Sequence, residues 1–288
     1  MRTAKRIIFP LLGAIAVVTA PASAAGAQAR IATWTGARAA SWPAANSKIG
    51  PLRTQRVFYS TKLPATFAGS KCAALPSDVM CIVSYKTPST NVVSFVSSIP
   101  PGRGAPVMMI FHHEPENDFA SGAAFVSKFD GQSAKIRAAA RSAGLTTGPA
   151  GEVEVDMAAG GYQYAKPGRH GYNCSYIPPA IAVDHYTVDA YPAEPGGLAK
   201  FTGFTRWLSC TKGKGVTRGI TEYGLGNCQG NAAREKTMAA DAKYLPTVMP
   251  GLYLLEYWWI QASGAPCSKA YRFTDAKTIA EWRSVEAG

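Results

Sequence analysis

Eight short apolar runs punctuate the chain, at Lys48–Leu52, Arg56–Ser60, Val79–Tyr85, Pro106–His112, Glu152–Met157, Ala182–Asp189, Arg218–Thr221 and Leu252–Trp258. Several are rich in Val, Ile and Met without strict alternation, the pattern of a strand covered on both faces. Segments with helical spacing lie between them. Ala123–Ala143 carries Phe125, Phe129, Ile136 and Ala140, and Gly144 follows as a helix stop. Ala232–Leu245 places Met238, Ala239 and Ala242 near one face, while Thr274 caps Asp275–Val285, where Ile279, Trp282 and Val285 recur at spacings of three. Strand and helix alternate throughout. This predicts an α/β fold with helices outside a parallel sheet, closed as a (β/α)8 TIM barrel.

The N-terminus departs from that pattern. Arg2, Lys5 and Arg6 precede an apolar stretch from Ile7 to Thr19, and Ala22-Ser23-Ala24 supplies small residues for cleavage. Residues 1–24 therefore read as a secretory signal peptide, too short in its apolar part for a membrane span. Residues 25–43 are Ala-rich and read as a weakly ordered arm, leaving 44–288 as a single barrel domain. The expected product is secreted and extracellular, has no membrane association after signal cleavage, and is a monomer by default.

Six cysteines, at 72, 81, 174, 210, 228 and 267, fit an oxidising destination. None is spaced as Cys-x-x-Cys, which argues against zinc ribbons and thioredoxin-like redox chemistry. The expected pairs are Cys72–Cys81, Cys174–Cys210 and Cys228–Cys267. The formal charge is +12, but the basic residues are scattered and form no nucleic-acid motif, so a nucleic-acid partner is not expected.

Two glutamates close apolar runs in similar settings. Glu114 ends Pro106-Val107-Met108-Met109-Ile110-Phe111-His112-His113-Glu114-Pro115, and Glu222 ends Val216-Thr217-Arg218-Gly219-Ile220-Thr221-Glu222-Tyr223-Gly224. At the C-terminal ends of barrel strands, both would face the mouth where active sites form. A single glutamate there is more often simply ion-paired. Two at one mouth can perform the acid, base and nucleophile steps of glycosidic bond cleavage.

The same residues resemble a family. His113-Glu114-Pro115 is similar to the Asn-Glu-Pro motif on the fourth strand of clan A glycoside hydrolases, in the His-Glu form of glycoside hydrolase family 26, which holds many β-mannanases. Ile220-Thr221-Glu222-Tyr223-Gly224 resembles the seventh-strand nucleophile motif, Val188-Asp189-Ala190-Tyr191-Pro192 the sixth strand, and Leu252-Tyr253-Leu254-Leu255-Glu256-Tyr257-Trp258-Trp259 the eighth. The resemblance implies Glu114 as general acid/base and Glu222 as nucleophile of a retaining enzyme without cofactor or metal, acting on a β-linked polysaccharide or oligosaccharide of mannan type. His113, Tyr191, Trp258 and Trp259 would be substrate-binding, with Tyr191 also a donor to Glu222. The chain departs from family 26 in having Ile110 and Phe111 where an Arg-Pro pair usually stands, and Glu116-Asn117-Asp118 where Asn-Gly follows.

Two rivals remain open from the sequence. One is a carbohydrate-binding protein on the same barrel that does not cut. The other is a metal-dependent hydrolase using His112, Glu114, Glu116 and His185. The chain has only four histidines and no His-x-x-x-His pair to complete such a site. It also lacks the Gly-x-Ser-x-Gly of serine esterases and any phosphate-binding glycine loop.

Overall fold

The computed structural model describes residues 31–60, 62–88, 90–165, 174–192, 196–260, 266–267 and 271–287. Residues 1–24 lie outside them. Eight parallel strands run as β1 Trp34–Arg38, β2 Thr54–Tyr59, β3 Met80–Tyr85, β4 Val107–Phe111, β5 Val153–Gly160, β6 His185–Ala190, β7 Thr217–Tyr223 and β8 Leu254–Trp258. Their order around the sheet is β1-β8-β7-β6-β5-β4-β3-β2. Among the described residues the helices are α1 Trp42–Ile49, α2 Val92–Ser97, α3 Gly122–Ser142, α4 Gly161–Ala165, α5 Gly197–Lys200, α6 Thr202–Thr211, α7 Asn231–Val248 and α8 Ala276–Ala287. This is the nearly closed (β/α)8 TIM barrel that the alternation predicts.

The start of the barrel differs from the reading of the pattern. Lys48–Leu52, expected as the first strand, holds the end of α1 and the Gly50-Pro51 exit. Pro43 suits the first turn of a helix, and Ala45 and Ile49, four apart, bury one face. The first strand is instead Trp34–Arg38, inside the stretch expected as a loose arm. Its sequence, Trp-Thr-Gly-Ala-Arg, has no branched aliphatic side chain to signal a strand, and Gly36 explains why. A Cβ at position 36 would lie 2.1 Å from Thr54 Oγ1 and 2.8 Å from Thr54 N. β1 and β2 approach too closely there for any side chain.

Side-chain parity sorts the rest. The residues facing the helices, including Val83, Met109, Phe111, Phe125, Val155, Tyr186, Trp207, Ile220, Tyr257 and Trp282, form one continuous apolar core. This explains the lack of alternation, because the inner face is also buried. On β3 and β4 that inner face is apolar, with Met80, Ile82, Met108 and Ile110 clustered together. On β5–β8 and β2 it carries Asp156, Thr187, Asp189, Thr221, Glu256 and Arg56, all buried.

Three disulfides form, Cys72–Cys81, Cys174–Cys210 and Cys228–Cys267, the pairs expected. The last joins the segments that follow β7 and β8. Among the described residues, no helix is long and apolar enough to cross a membrane.

Gly36→Ala should destabilise the fold by about 1–3 kcal/mol through overpacking at the β1–β2 seam. Urea unfolding would show a lower midpoint at unchanged slope; an unchanged midpoint would mean the seam yields freely.

Candidate active site

The C-terminal end of the barrel gathers the two glutamates through different backbone devices. β4 stops at Phe111, and the chain then turns sharply, with His112 at φ 57° and Glu114 at φ 50°. Both are non-glycine residues in the left-handed region, which costs about 1–3 kcal/mol each when the surroundings impose it. The backbone is held there by His112 N donating to Tyr85 O at 2.7 Å and Glu114 N donating to Ala158 O at 2.8 Å. Gly160 makes room, since a Cβ there would sit 3.2 Å from Glu114 Oε1. Asn117 Nδ2 donates to Glu114 Oε2 at 3.1 Å, and Gln163 on α4 donates to the Asn117 carbonyl oxygen, which fixes how that amide faces.

Glu222 reaches the mouth through an irregularity in β7. Ile220 pairs with Val188, yet Glu222 pairs with Asp189, so Thr221 is an extra residue in the ladder. Such a bulge re-aims side chains. Here it turns Thr221 and Glu222, neighbours in sequence, both inward.

Glu222 is held tightly. Arg56 Nη1 donates to Glu222 Oε1 at 2.8 Å and to Asp189 Oδ1 at 2.7 Å. Tyr191 donates its hydroxyl to Glu222 Oε2. Arg56 is fully buried; its Nε donates to Ser84 Oγ at 2.8 Å, and its backbone N–H donates to Glu256 Oε1 at 2.8 Å. Burial opposes the Arg56 charge, but Asp189 and Glu222 outweigh it and raise the guanidinium pKa above its ordinary value.

The two glutamates therefore differ electrostatically. Burial, helped by the charge of Asp189, lifts Glu114 to about 7, and among the described residues no cation is ion-paired with it. Burial and Asp189 push Glu222 well above the ordinary carboxylate range as well, although Arg56 and Tyr191, which bind its carboxylate, pull the other way. Burial lifts the neighbouring Glu116 and Glu256 to about 8. Carboxyl groups outnumber cations around Arg56, so some must hold protons.

Aromatic rings line one side of the mouth. Trp258 lies edge-on to Phe58 at 5.8 Å and to Tyr191 at 6.5 Å, and Tyr191 lies 4.9 Å from Tyr271. The Arg38 guanidinium stands 5.4 Å from the Phe58 ring centre. His113 packs edge-on to Phe58 at 5.1 Å, and burial, then Arg56, depress its pKa to about 2, so the ring is neutral. Trp259, by contrast, turns away. It is 6% exposed and donates Nε1–H to Phe273 O at 3.0 Å, so it packs in the outer core rather than facing substrate.

The residues weighed as a metal site are not brought together. His185 lies at the foot of β6, stacked on Tyr253 at 3.8 Å and paired with Glu154 at 3.3 Å, at the opposite end of the barrel from His112 and Glu116. Glu116 is buried and accepts from Gly160 N at 3.2 Å. Three tyrosines follow β5 in a glycine-rich stretch, of which Tyr172 lies outside the described residues. Of the other two, Tyr164 is buried and Tyr162 is exposed.

The pattern alone missed Arg56, Asp189, Glu256, Phe58 and Asn117. A signal existed for two of them. Arg56 is a charge opening an apolar run, and Glu256 is a charge inside one.

The chain matches no protein-family model and no curated protein by sequence. Several solved structures share its fold. A glycoside hydrolase family 128 (subgroup I) endo-β-1,3-glucanase from Amycolatopsis mediterranei, in complex with laminaritriose, aligns with 89% of this chain and 100% of its own at TM-score 0.53 and 15% identity. A subgroup II endo-β-1,3-glucanase from Sorangium cellulosum aligns over 88% and 98% at TM-score 0.53 and 13% identity. A Bacteroides uniformis β-glucuronidase also aligns, over 89% of this chain and 34% of its own, at TM-score 0.53 and 11% identity.

Arg56→Met should destabilise the protein by about 3–5 kcal/mol, because Asp189 and Glu222 would be left as an unpaired buried carboxylate pair; thermal and urea unfolding measure this. The pH dependence of stability has a definite sign. The folded state holds the Glu114 proton more tightly than the unfolded chain, so stability should fall as pH rises from 4.5 to about 7. Glu114→Gln should flatten that part of the profile, and an identical slope in both proteins would contradict the assignment.

Proposed function

We propose that the chain is an exported glycoside hydrolase cutting within a β-1,3-linked glucan by a retaining, two-glutamate mechanism. The observation that carries this reading is the unequal environment of two carboxyl groups at one barrel mouth. Glu114 is poised to hold a proton near neutral pH, whereas Glu222 is gripped by a guanidinium and a phenol. Paired carboxyls with environments that divide the roles of acid and nucleophile are the signature of this chemistry.

In this mechanism Glu114 gives its proton to the glycosidic oxygen as the bond to the anomeric carbon breaks. Glu222 attacks that carbon from the opposite face and forms a glycosyl ester. With Glu222 neutralised, its repulsion of Glu114 is gone and Glu114 is more easily ionised. It then takes a proton from water, whose oxygen attacks the same carbon and frees Glu222. A retaining site needs the carboxyls about 5–5.5 Å apart. Trp258 and Phe58 offer ring faces and edges for the apolar side of a sugar. His113, neutral, would hydrogen-bond a sugar hydroxyl in this reading.

The β-1,3-glucan assignment rests on the family 128 neighbours, of which the Amycolatopsis mediterranei enzyme is in complex with laminari-oligosaccharides. The mannan substrate expected from the family 26 motif finds no support among the similar structures. The three disulfides and the signal-like N-terminus support export.

Reducing ends should be released from a β-1,3-glucan in preference to a β-mannan. Glu114→Gln and Glu222→Gln should each lower kcat by about 10²–10⁴-fold or more. Proton NMR should find the first product as the β anomer, and kcat/KM should decline above pH of about 7 as Glu114 loses its proton. Binding of the glucan without cleavage, unchanged by Glu222→Gln, would instead indicate a carbohydrate-binding protein. Cleavage that survives both substitutions would remove these glutamates from the chemistry.

A further inference from the structure

Beneath the mouth, a buried file of oxygen atoms leads away from Glu222. Asp189 Oδ1 lies 2.7 Å from Thr221 Oγ1, Thr221 Oγ1 lies 3.2 Å from Thr187 Oγ1, and Thr187 Oγ1 lies 2.6 Å from Asp156 Oδ2. All four residues are at most 1% exposed. The file exists because the β7 bulge turns Thr221 inward, into line with Thr187 of β6 and Asp156 of β5.

Counting hydrogens constrains its chemistry. Three oxygen–oxygen contacts need three hydrogens, and two threonine hydroxyls supply two. The third must come from one of the carboxyl groups at the ends. The second oxygens, Asp156 Oδ1 and Asp189 Oδ2, are buried without a hydrogen-bond partner among the described residues. An ionised carboxylate tolerates such an oxygen less well than a neutral acid does.

We infer that Asp156 and Asp189 share a single proton through Thr187 and Thr221, and that its position follows the charge on Glu222. This rests on the reading of Glu222 as the nucleophile. With the proton on Asp156, each hydroxyl donates toward Asp189, which is then ionised and competes with Glu222 for Arg56 Nη1. When the proton moves, the Asp156 O–H breaks as Thr187 gains a hydrogen. Thr187 passes its own to Thr221, and Thr221 passes its own to Asp189. Three O–H bonds break, three form, and one negative charge moves from Asp189 to Asp156. Glu222 is then the sole anion on Arg56 Nη1, the arrangement an ionised nucleophile needs. When Glu222 becomes neutral in the glycosyl ester, the proton returns to Asp156, and the Asp189 carboxylate balances Arg56.

The surroundings suit a proton that can rest at either end. The charged and titratable groups facing Asp156 are His185 and Asp189 from β6, Arg56 from β2 and Glu154 on its own strand, while β4 presents Met108 and Ile110. Asp184 lies on the outer side, paired with Arg137 at 2.8 Å. Burial lifts Asp156 to about 7, against the pull of Thr187 and His185. Asp189 is the largest charge raising Glu222, so neutralising it acts directly on the nucleophile.

Asp156→Asn tests the inference without removing the donor to Thr187, because the amide N–H replaces the acid O–H. Infrared spectra of wild type minus Asp156→Asn should contain a protonated-carboxyl band. In the variant Asp189 has no proton to receive, so Glu222 should ionise about one pH unit higher, within the range a neighbouring charge produces. That ionisation is read from spectra with and without Glu222→Gln, so the result stands apart from any hydrolase activity. In the active enzyme, the acid limb of kcat/KM should move up by the same amount in Asp156→Asn and in Thr187→Val, which cuts the file. No protonated-carboxyl difference band, or a Glu222 ionisation unmoved in Asp156→Asn, would overturn the shared proton.

Discussion

The interior of this barrel is organised around one buried guanidinium. An unpaired charge in a protein interior costs several kcal/mol even after relaxation, so Arg56 is viable only where partners converge on it. They come from all around the sheet: Ser84 from β3, Asp189 from β6, Glu222 from β7 and Glu256 from β8. The bond to Glu256 has a structural purpose of its own. β1 and β2 stand at the two ends of the strand order and form no regular ladder, and the Arg56 N–H of β2 goes to a side chain instead. A buried N–H must be satisfied, and the Glu256 carboxylate, on the β8 residue that pairs with Gly36, accepts from Arg56 N. The side chain that anchors the candidate nucleophile thus belongs to a residue whose backbone helps close the barrel.

The inner face divides into two halves with different tasks. β3 and β4 fill theirs with Met80, Ile82, Met108 and Ile110, an apolar wall that needs no partners. The opposite half holds Asp156, Thr187, Asp189, Thr221 and Glu256. Low dielectric on one side strengthens every interaction on the other. It also raises the cost of each carboxylate, which is why protons must be retained within the cluster. The short hydroxyl side chains of Thr187 and Thr221 are the linkers that let such a crowded set of acids remain connected.

The sequence revealed this architecture where backbone and side chain follow simple periods. β4 and β7 were legible because each is an apolar run ending in a glutamate, and the expected cysteine pairs are the ones that form. β1 was illegible for a physical reason: Gly36 is required by contact with Thr54, and a strand built on glycine and alanine has no apolar signature. The bulge at Thr221 was equally hidden, since period-two counting places Thr221 and Glu222 on opposite faces. The phase of Trp258 and Trp259 could not be fixed from spacing; the even step from Glu256 to Trp258 becomes informative only once Glu256 is seen bonded to β2. Long-range partners such as Arg56 with Glu222, 166 positions apart, leave no local trace.

Stability alone does not account for this interior. Replacing a buried ion cluster with well-packed apolar residues of similar volume is often neutral or stabilising by about 1–4 kcal/mol. The strained turns at His112 and Glu114 likewise add cost, and the bulge in β7 interrupts a ladder. These departures from an optimal barrel fall at its C-terminal end. Each departure aims or binds a carboxyl group: the left-handed turn presents Glu114, the bulge presents Glu222, and the guanidinium holds the Glu222 carboxylate. A scaffold selected only for packing would keep the apolar half and extend it around the ring. That this chain does the opposite on five of its strands is the strongest physical argument for the chemistry proposed at the mouth.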